Sequence, residues 1–276
     1  MRRPAERAVT LDSKRPSPIK ILNNEPLAQP RHVIVIAELG SNIYPFKAEQ
    51  LQLKIRAAAA AGADAVKIQL FKAEHFPVAE REVKERFEFP RHMIPVFAQI
   101  AIQHELAYGA SVFDKQAVDM AVAARCDFLK LATRETGNTR LRAYCHEEFG
   151  EPIYRSVNWP IDRTVSEADT AWTMLAVPGE VTLGCVSEYP TNRPAWWNLA
   201  NLKSDLFDPF GWSSHTQGME DVLIAVQAGA TVIEKHLATD PTDVEAEWSL
   251  LPPEFGQMVE AIRKMEADDD AHLRVS

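Results

Sequence analysis

The chain has 276 residues, enough for one large domain or two small ones, and 46% of them are hydrophobic, which supports a substantial core. A formal net charge of −9 argues against a nucleic-acid footprint, and no apolar run of about 18 residues suggests a membrane span. Cys126, Cys145 and Cys185 form no CxxC pair, and the charged N-terminus has no apolar signal core, so a reducing, cytoplasmic setting is expected.

Residues 1–31 are basic and proline-containing and read as a solvated extension. From about residue 32 a regular alternation begins. Val33–Glu38 reads as a strand and Lys47–Ala61 as a helix closed by Gly62. Ala65–Leu70 is the second strand, followed by a helix at Arg91–Glu105. Ala107–Val112 precedes the helix Lys115–Ala124, and Phe128–Ala132 precedes Thr139–Glu148. Pro152–Val157 leads to a helix over Ser166–Leu175, and Val181–Val186 to one over Ala195–Lys203. Phe210–Ser214 is followed by Met219–Ala228, and Thr231–His236 by Pro253–Met265. Strand–helix alternation implies a parallel sheet with crossover helices. Eight such units over residues 32–266 predict a single α/β domain, a (β/α)8 TIM barrel. An open doubly wound sheet is the alternative, but Ala37-Glu-Leu-Gly-Ser is not a dinucleotide-binding turn. Residues 267–276 read as an acidic tail.

Buried parallel strands are ordinarily continuous apolar runs, so polar residues within them call for a reason. Here they fall late in their strands, at the end that carries barrel active sites. Glu38 shares a face with Ile34 and Ile36 by the two-residue period. Lys67 and Gln69 share a face on the second strand. Lys130 closes Asp127-Phe-Leu-Lys130 and is followed by Thr133 and Glu135. Ser187 and Tyr189 follow the sixth strand. Ser213 is in phase with His215, and Glu234 with His236. A single strand-end lysine or histidine is ordinarily a solvated or paired structural group. Six strands that place polar groups at one rim are better explained by a shared site. Two lysines there suit a small anion carrying phosphate and carboxylate. Two imidazoles suit one divalent metal with open positions, a Lewis acid toward a carbonyl oxygen. Imidazole alone does not choose among Zn, Mn, Fe and Co.

These residues lie in motifs that resemble the N-acetylneuraminate (sialic acid) synthase family. The resemblance runs from Ile36-Ala-Glu38-Leu-Gly-Ser-Asn42 through Val66-Lys67-Ile-Gln69-Leu-Phe, Ser111-Val-Phe-Asp114 and Lys130-Leu-Ala-Thr133-Arg-Glu135. It continues in Ser187-Glu-Tyr189-Pro, Ser213-Ser-His215-Thr and Glu234-Lys-His236 and ends at Trp248-Ser-Leu. It implies a (β/α)8 barrel that condenses phosphoenolpyruvate with an N-acyl amino sugar such as N-acetylmannosamine, giving a nonulosonic acid and phosphate. It implies a divalent metal, Mn²⁺ in the family, held by His215 and His236. Lys67, Ser111, Lys130, Thr133, Ser187, Tyr189 and Ser213 fall at its phosphoenolpyruvate positions. Glu38, Gln69 and Glu135 fall at its sugar-facing or acid/base positions, and either Glu38 or Glu135 would activate water. A homodimer is the expected assembly.

The sequence departs from the family pattern at several places. The usual Asn-His-Asn-Gly run is Asn42-Ile-Tyr-Pro45. Ser214 stands where an Asp is usual, in a position to orient the neighbouring imidazole. Arg134 adds a cation at the rim. Glu245-Ala246 replaces an Asp-His pair, so Glu245 would take over a sugar contact. The sequence stops before the family's C-terminal antifreeze-like domain, which supplies an arginine to the sugar, and Arg134 is the candidate substitute. Two other readings follow from these departures. One is another metal-dependent phosphoenolpyruvate or pyruvate enzyme with a different acceptor, whose phosphate Arg134, Arg140 or Arg193 would hold. The other is a degenerate, non-catalytic barrel.

Overall fold

A computed structural model of the chain describes residues 32–159, 177, 179–191 and 209–273, with side chains as far as 268. Eight parallel strands close into a barrel in sequence order: β1 Ile34–Glu38, β2 Ala65–Leu70, β3 Ala107–Val112, β4 Phe128–Leu131, β5 Ile153–Asn158, β6 Glu180–Cys185, β7 Phe210–Ser214 and β8 Val232–His236. β1 pairs with β8, Glu38 opposite His236, so no sheet edge is left open. This is the (β/α)8 barrel that the alternation predicts. Three strands coincide with the reading of the sequence (β2, β3 and β7), and the others differ by one residue at one or both ends.

The described helices are α1 Ala48–Ala60, α2 Val78–Glu85, α3 Ile94–Gln103, α4 Lys115–Ala123, α5 Thr139–Glu148, α6 Glu220–Gln227 and α7 Pro252–Leu273. In α1 the buried residues Leu51, Lys54, Ile55 and Ala58 follow the three-and-four spacing of one helical face. Asp114 caps α4 by accepting from the Ala117 N–H at 2.7 Å, and Asn138 caps α5 by accepting from Leu141 at 3.1 Å. Two elements differ from expectation. α2 was not expected, and none of its residues is buried. α7 continues past Met265, so most of the acidic segment after residue 266 is helical. The expected helices Ser166–Leu175 and Ala195–Lys203 and the extension 1–31 lie outside the described residues.

Strand parity divides the side chains into two sets. Outward residues such as Val35, Val66, Ile68, Leu129 and Ile233 pack beneath the helices in the main core. Inward residues Ile34, Ile36, Ala65, Ala107, Phe128, Tyr154, Val181, Leu183 and Val232 fill the lower barrel. Phe128 fits only because Gly109 faces it. A Cβ at Gly109 would sit 2.4 Å from the Phe128 ring. Above this plug the inward positions turn polar: Glu38, Lys67, Ser111, Lys130, Ser156, Ser213 and Glu234 are all buried. The polar layer lies at the strands' C-terminal ends. Among the described residues no helix is long and apolar enough to cross a membrane.

Candidate active site

A cavity of about 770 Å³ opens at the C-terminal end of the barrel. Its floor is a buried charge network. Lys67 pairs with Glu38 and lies 3.5 Å from Glu234, while its Nζ donates to Ser111 Oγ at 2.6 Å. Lys130 pairs with the same Glu234 and donates to Ser213 Oγ at 3.1 Å. Ser213 in turn donates to Glu234 Oε1 at 2.9 Å. Glu234 therefore bridges both lysines. Burial opposes ionisation of Glu234, but Lys130 and Lys67 outweigh it and hold the carboxyl well below the usual range. Burial likewise opposes the Lys67 charge, and Glu234 and Glu38 overcome it, raising the pKa above that of an ordinary lysine. Lys67 is thus a cation at neutral pH in a site shielded from water, where charge acts strongly.

Glu38 is held in place by its surroundings. The Gly40 N–H donates to Oε1 at 2.6 Å, and Gln69 Nε2 donates to the same atom at 3.5 Å. Glu38 and Gln69, each on one face of its strand by the two-residue period, both line the cavity, together with Thr133, Ser187 and Tyr189. Thr133 Oγ1 shares a hydrogen bond of 2.9 Å with Cys185 Sγ, and burial raises the pKa of that thiol. The Ser187 N–H donates to Asn158 Oδ1 at 3.1 Å. Ser213 lies beneath the lining, in contact with Lys130 and Glu234.

His215 and His236 meet across β7 and β8 with ring centroids 5.5 Å apart. Each is tied at Nδ1. His215 lies 2.8 Å from the Val186 carbonyl oxygen, and His236 lies 2.9 Å from Glu245 Oε2. With Nδ1–H donated to these acceptors, both Nε2 lone pairs are left for a ligand. Burial depresses the His215 pKa well below the ordinary histidine value, and His236 adds to the effect, so this imidazole is neutral at neutral pH. Tyr189 lies over His215 at 4.2 Å, and Trp248 lies 6.2 Å from His236. Among the described residues no third His, Cys, Asp or Glu joins the pair in a metal-ligating group.

Three sequence expectations change. Glu135 is not among the cavity-lining residues; it accepts from Asn138 Nδ2 at 3.0 Å and lies 3.6 Å from Arg134. Ser214 points away from the imidazoles. It donates to Asp221 Oδ1 at 3.1 Å and accepts from buried Lys235 at 3.0 Å, so Asp221 from α6 supplies the carboxylate on that side of the sheet. Burial lowers the Lys235 pKa to about 8 against the pull of Asp221 and Glu220. The Val186 carbonyl takes the orienting role expected of residue 214. Arg134 does reach the mouth, exposed, with its guanidinium 4.3 Å over the Phe76 ring and a hydrogen bond to the His75 carbonyl. Arg140 is exposed and outside the lining, and Arg193 lies outside the described residues. Ser156 and Asn158 line the cavity without having been singled out in the sequence, and Trp248 lines it too, known there only as part of a motif. Ser156 and Asn158 are in phase with Tyr154, so strand parity could have found them.

The closed barrel, with a charged cavity at the strand C-termini, is an enzyme architecture of the (β/α)8 class. Residues 54–272 match the NeuB family, and the chain belongs to that family of synthases. The spore coat polysaccharide biosynthesis protein SpsE of Bacillus subtilis is 27% identical over 270 residues, covering 89% of this chain and 70% of that protein. The N,N'-diacetyllegionaminic acid synthase of Legionella pneumophila is 26% identical over 281 residues, covering 90% of this chain and 76% of that one. Among solved structures, the N-acetylneuraminic acid (sialic acid) synthetase from Leptospira borgpetersenii superposes with a TM-score of 0.76 at 27% identity. That match covers 86% of this chain and 84% of the other.

Proposed function

We propose that the protein condenses phosphoenolpyruvate with an N-acyl amino sugar to give a nonulosonic acid and phosphate. The observation that carries this reading is the placement of Lys67, Lys130 and the two imidazoles around one cavity. A substrate with a carboxylate, a phosphate and a carbonyl partner needs fixed cations and a polarising centre within one small space. Named relatives that make legionaminic, pseudaminic and N-acetylneuraminic-9-phosphate products support the class of acceptor.

In this reading Lys67 and Lys130 hold the carboxylate and phosphate of phosphoenolpyruvate. Ser111, Thr133 and Ser187 add hydroxyls, and so does Ser156, whose Oγ is buried without a hydrogen-bond partner among the described residues. Tyr189 covers the histidine side of the cavity. The donor set fits a divalent metal: two imidazoles tied at Nδ1 present their Nε2 atoms and leave the other positions to substrate and water. Such a cation, Mn²⁺ by the family resemblance, would supply Lewis-acid polarisation of the acceptor aldehyde when bound. The methylene carbon of phosphoenolpyruvate bonds to the aldehyde carbon, and positive charge develops at C2. Glu38 faces this centre, stabilises it, and takes a proton from the water that adds there. The former aldehyde oxygen takes up a proton; the C2–O bond to phosphate then breaks with its electron pair, the C2 hydroxyl gives up its proton to form the ketone, and phosphate leaves. Glu38 is favoured over Glu135 for this role because it lines the cavity and Glu135 does not.

A crystal soaked with Mn²⁺ and phosphoenolpyruvate tests the reading. The expected density has the metal between the two Nε2 atoms and the anion against Lys67 and Lys130. Anion density elsewhere, or an empty histidine pair at saturating metal, would contradict it.

A further inference from the structure

The family resemblance gives position 245 to the sugar; in the structure Glu245 lines the cavity, but its carboxylate is engaged by protein groups. Glu245 is buried, and its Oε2 lies 2.9 Å from Nδ1 of His236. Ser41 offers its backbone N–H and hydroxyl to the same carboxylate. The loop that carries it is clamped. The Glu245 N–H donates to Asn42 Oδ1 at 2.7 Å, while Asn42 Nδ2 donates to the Leu237 carbonyl at 2.9 Å and to Ser249 Oγ at 3.1 Å. Ser249 Oγ donates back to the Glu245 carbonyl at 2.6 Å. The same oxygen occupies the space beside Gly40, where an added Cβ would lie 2.1 Å from Oε2. Gly40 also has a φ of +45°, so a side chain there is strained on two counts.

We propose that Glu245 is a positioning residue: its carboxylate fixes His236 in the Nδ1–H tautomer, presents Nε2 to a divalent cation, and is not a hydroxyl acceptor for the sugar. The proposal rests on the metal reading above. Its physical basis is that a hydrogen-bonded carboxylate both orients an imidazole and makes its other nitrogen a better donor. The two histidines are then unequal. His215 leans on a neutral carbonyl and His236 on an anion, so His236 is the stronger ligand. One acceptor contact expected from the resemblance is thereby withdrawn from the sugar half of the site.

Two measurements on the full chain test this. The first is the ¹⁵N shift of the His236 ring in metal-free protein, and the second is Mn²⁺ affinity by paramagnetic resonance. Wild type is expected to hold a single Nδ1–H tautomer. Glu245→Ala is expected to release it to a mixture and to weaken Mn²⁺ binding by about 10- to 100-fold. Glu245→Gln keeps an acceptor oxygen at nearly the same volume and is expected to recover most of both. Gly40→Ala, which forces the carboxylate away, is expected to follow Glu245→Ala. An unchanged tautomer in Glu245→Ala would overturn the positioning role whatever the metal does. So would unchanged Mn²⁺ affinity combined with a tenfold rise in acceptor KM. A wild-type chain that binds no Mn²⁺ would overturn the metal reading whatever the tautomer does.

Discussion

At the scale of single residues, two carboxylates compete in the sequence for one task and the fold separates them. Glu38 stands in the cavity, fixed by Gly40, Gln69 and Lys67; Glu135 turns to Asn138 and Arg134. Glu38→Gln is therefore expected to lower kcat by about 10²- to 10⁴-fold, the usual worth of a placed acid or base, and Glu135→Gln by less than tenfold. Steady-state kinetics with saturating phosphoenolpyruvate decide this, and the reverse order would reassign the base. Arg134 sits exposed at the mouth above Phe76, so Arg134→Ala is expected to raise acceptor KM more than it lowers kcat. An unchanged KM would remove Arg134 from acceptor binding. The lysines, Glu38 and the histidines were legible in the sequence because strand period alone puts them on the inner face at one end. The part played by Glu234 was not. A strand-end glutamate in phase with a histidine looks the same whether it meets substrate or neutralises lysines. Its partner Lys130 lies on β4, half the barrel away in sequence order, and only barrel closure brings the two together.

At the scale of elements, β5, β6 and α5 are locked by one buried ion cluster below the site. Glu180 accepts from Arg142 through two contacts of 2.6 Å, from Arg155 at 3.0 Å, and lies 2.9 Å from His146. Burial opposes its charge, but Arg142, His146 and Arg155 overcome this and hold the pKa below the ordinary carboxylate value. A folded-state pKa below the unfolded one gives stability that is present above the unfolded pKa, near 4.5, and is lost as pH falls through the folded value. Glu180→Gln is expected to cost about 3–5 kcal/mol at neutral pH and to flatten the acid side of the Tm–pH curve. Thermal melts from pH 7 down to about pH 2 test it; a parallel loss at every pH, with no convergence below about pH 4.5, would mean the cluster's charge is not the cause. The strands and the amphipathic helices were readable because burial imposes a period on them. Helix α2 escaped because it buries none of its residues, and Val78 and Val83 stay exposed, so no core face marks it. The imidazole-orienting role expected of the Asp usual at position 214 does not fit that position, for a related reason. The parity of Ser214 sends it outward to Asp221 and Lys235, whereas its neighbour in sequence, His215, turns inward.

At the scale of the whole molecule, the barrel separates stability from chemistry along its axis. Phe128 and Tyr154, with ring centroids 5.1 Å apart, plug the lower end, and the charged layer rests on them. Gly109→Ala, which drives a methyl into the Phe128 ring, is expected to cost about 1–3 kcal/mol and to lower Tm without abolishing phosphoenolpyruvate binding. Denaturant melts alongside ligand titration check both halves; an unchanged Tm would show that the plug has room to spare. The fold was legible because eight alternating units in one chain admit few closed arrangements. The acceptor side was less so, because loops and not strand period set it. The most direct test of the central claim is product formation. Protein supplied with Mn²⁺, phosphoenolpyruvate and N-acetylmannosamine, or a related N-acyl amino sugar, is expected to release one phosphate for each nonulosonic acid seen by mass spectrometry. No phosphate release across a panel of N-acyl amino sugars and plain aldoses, from protein shown to bind metal and phosphoenolpyruvate, would contradict it.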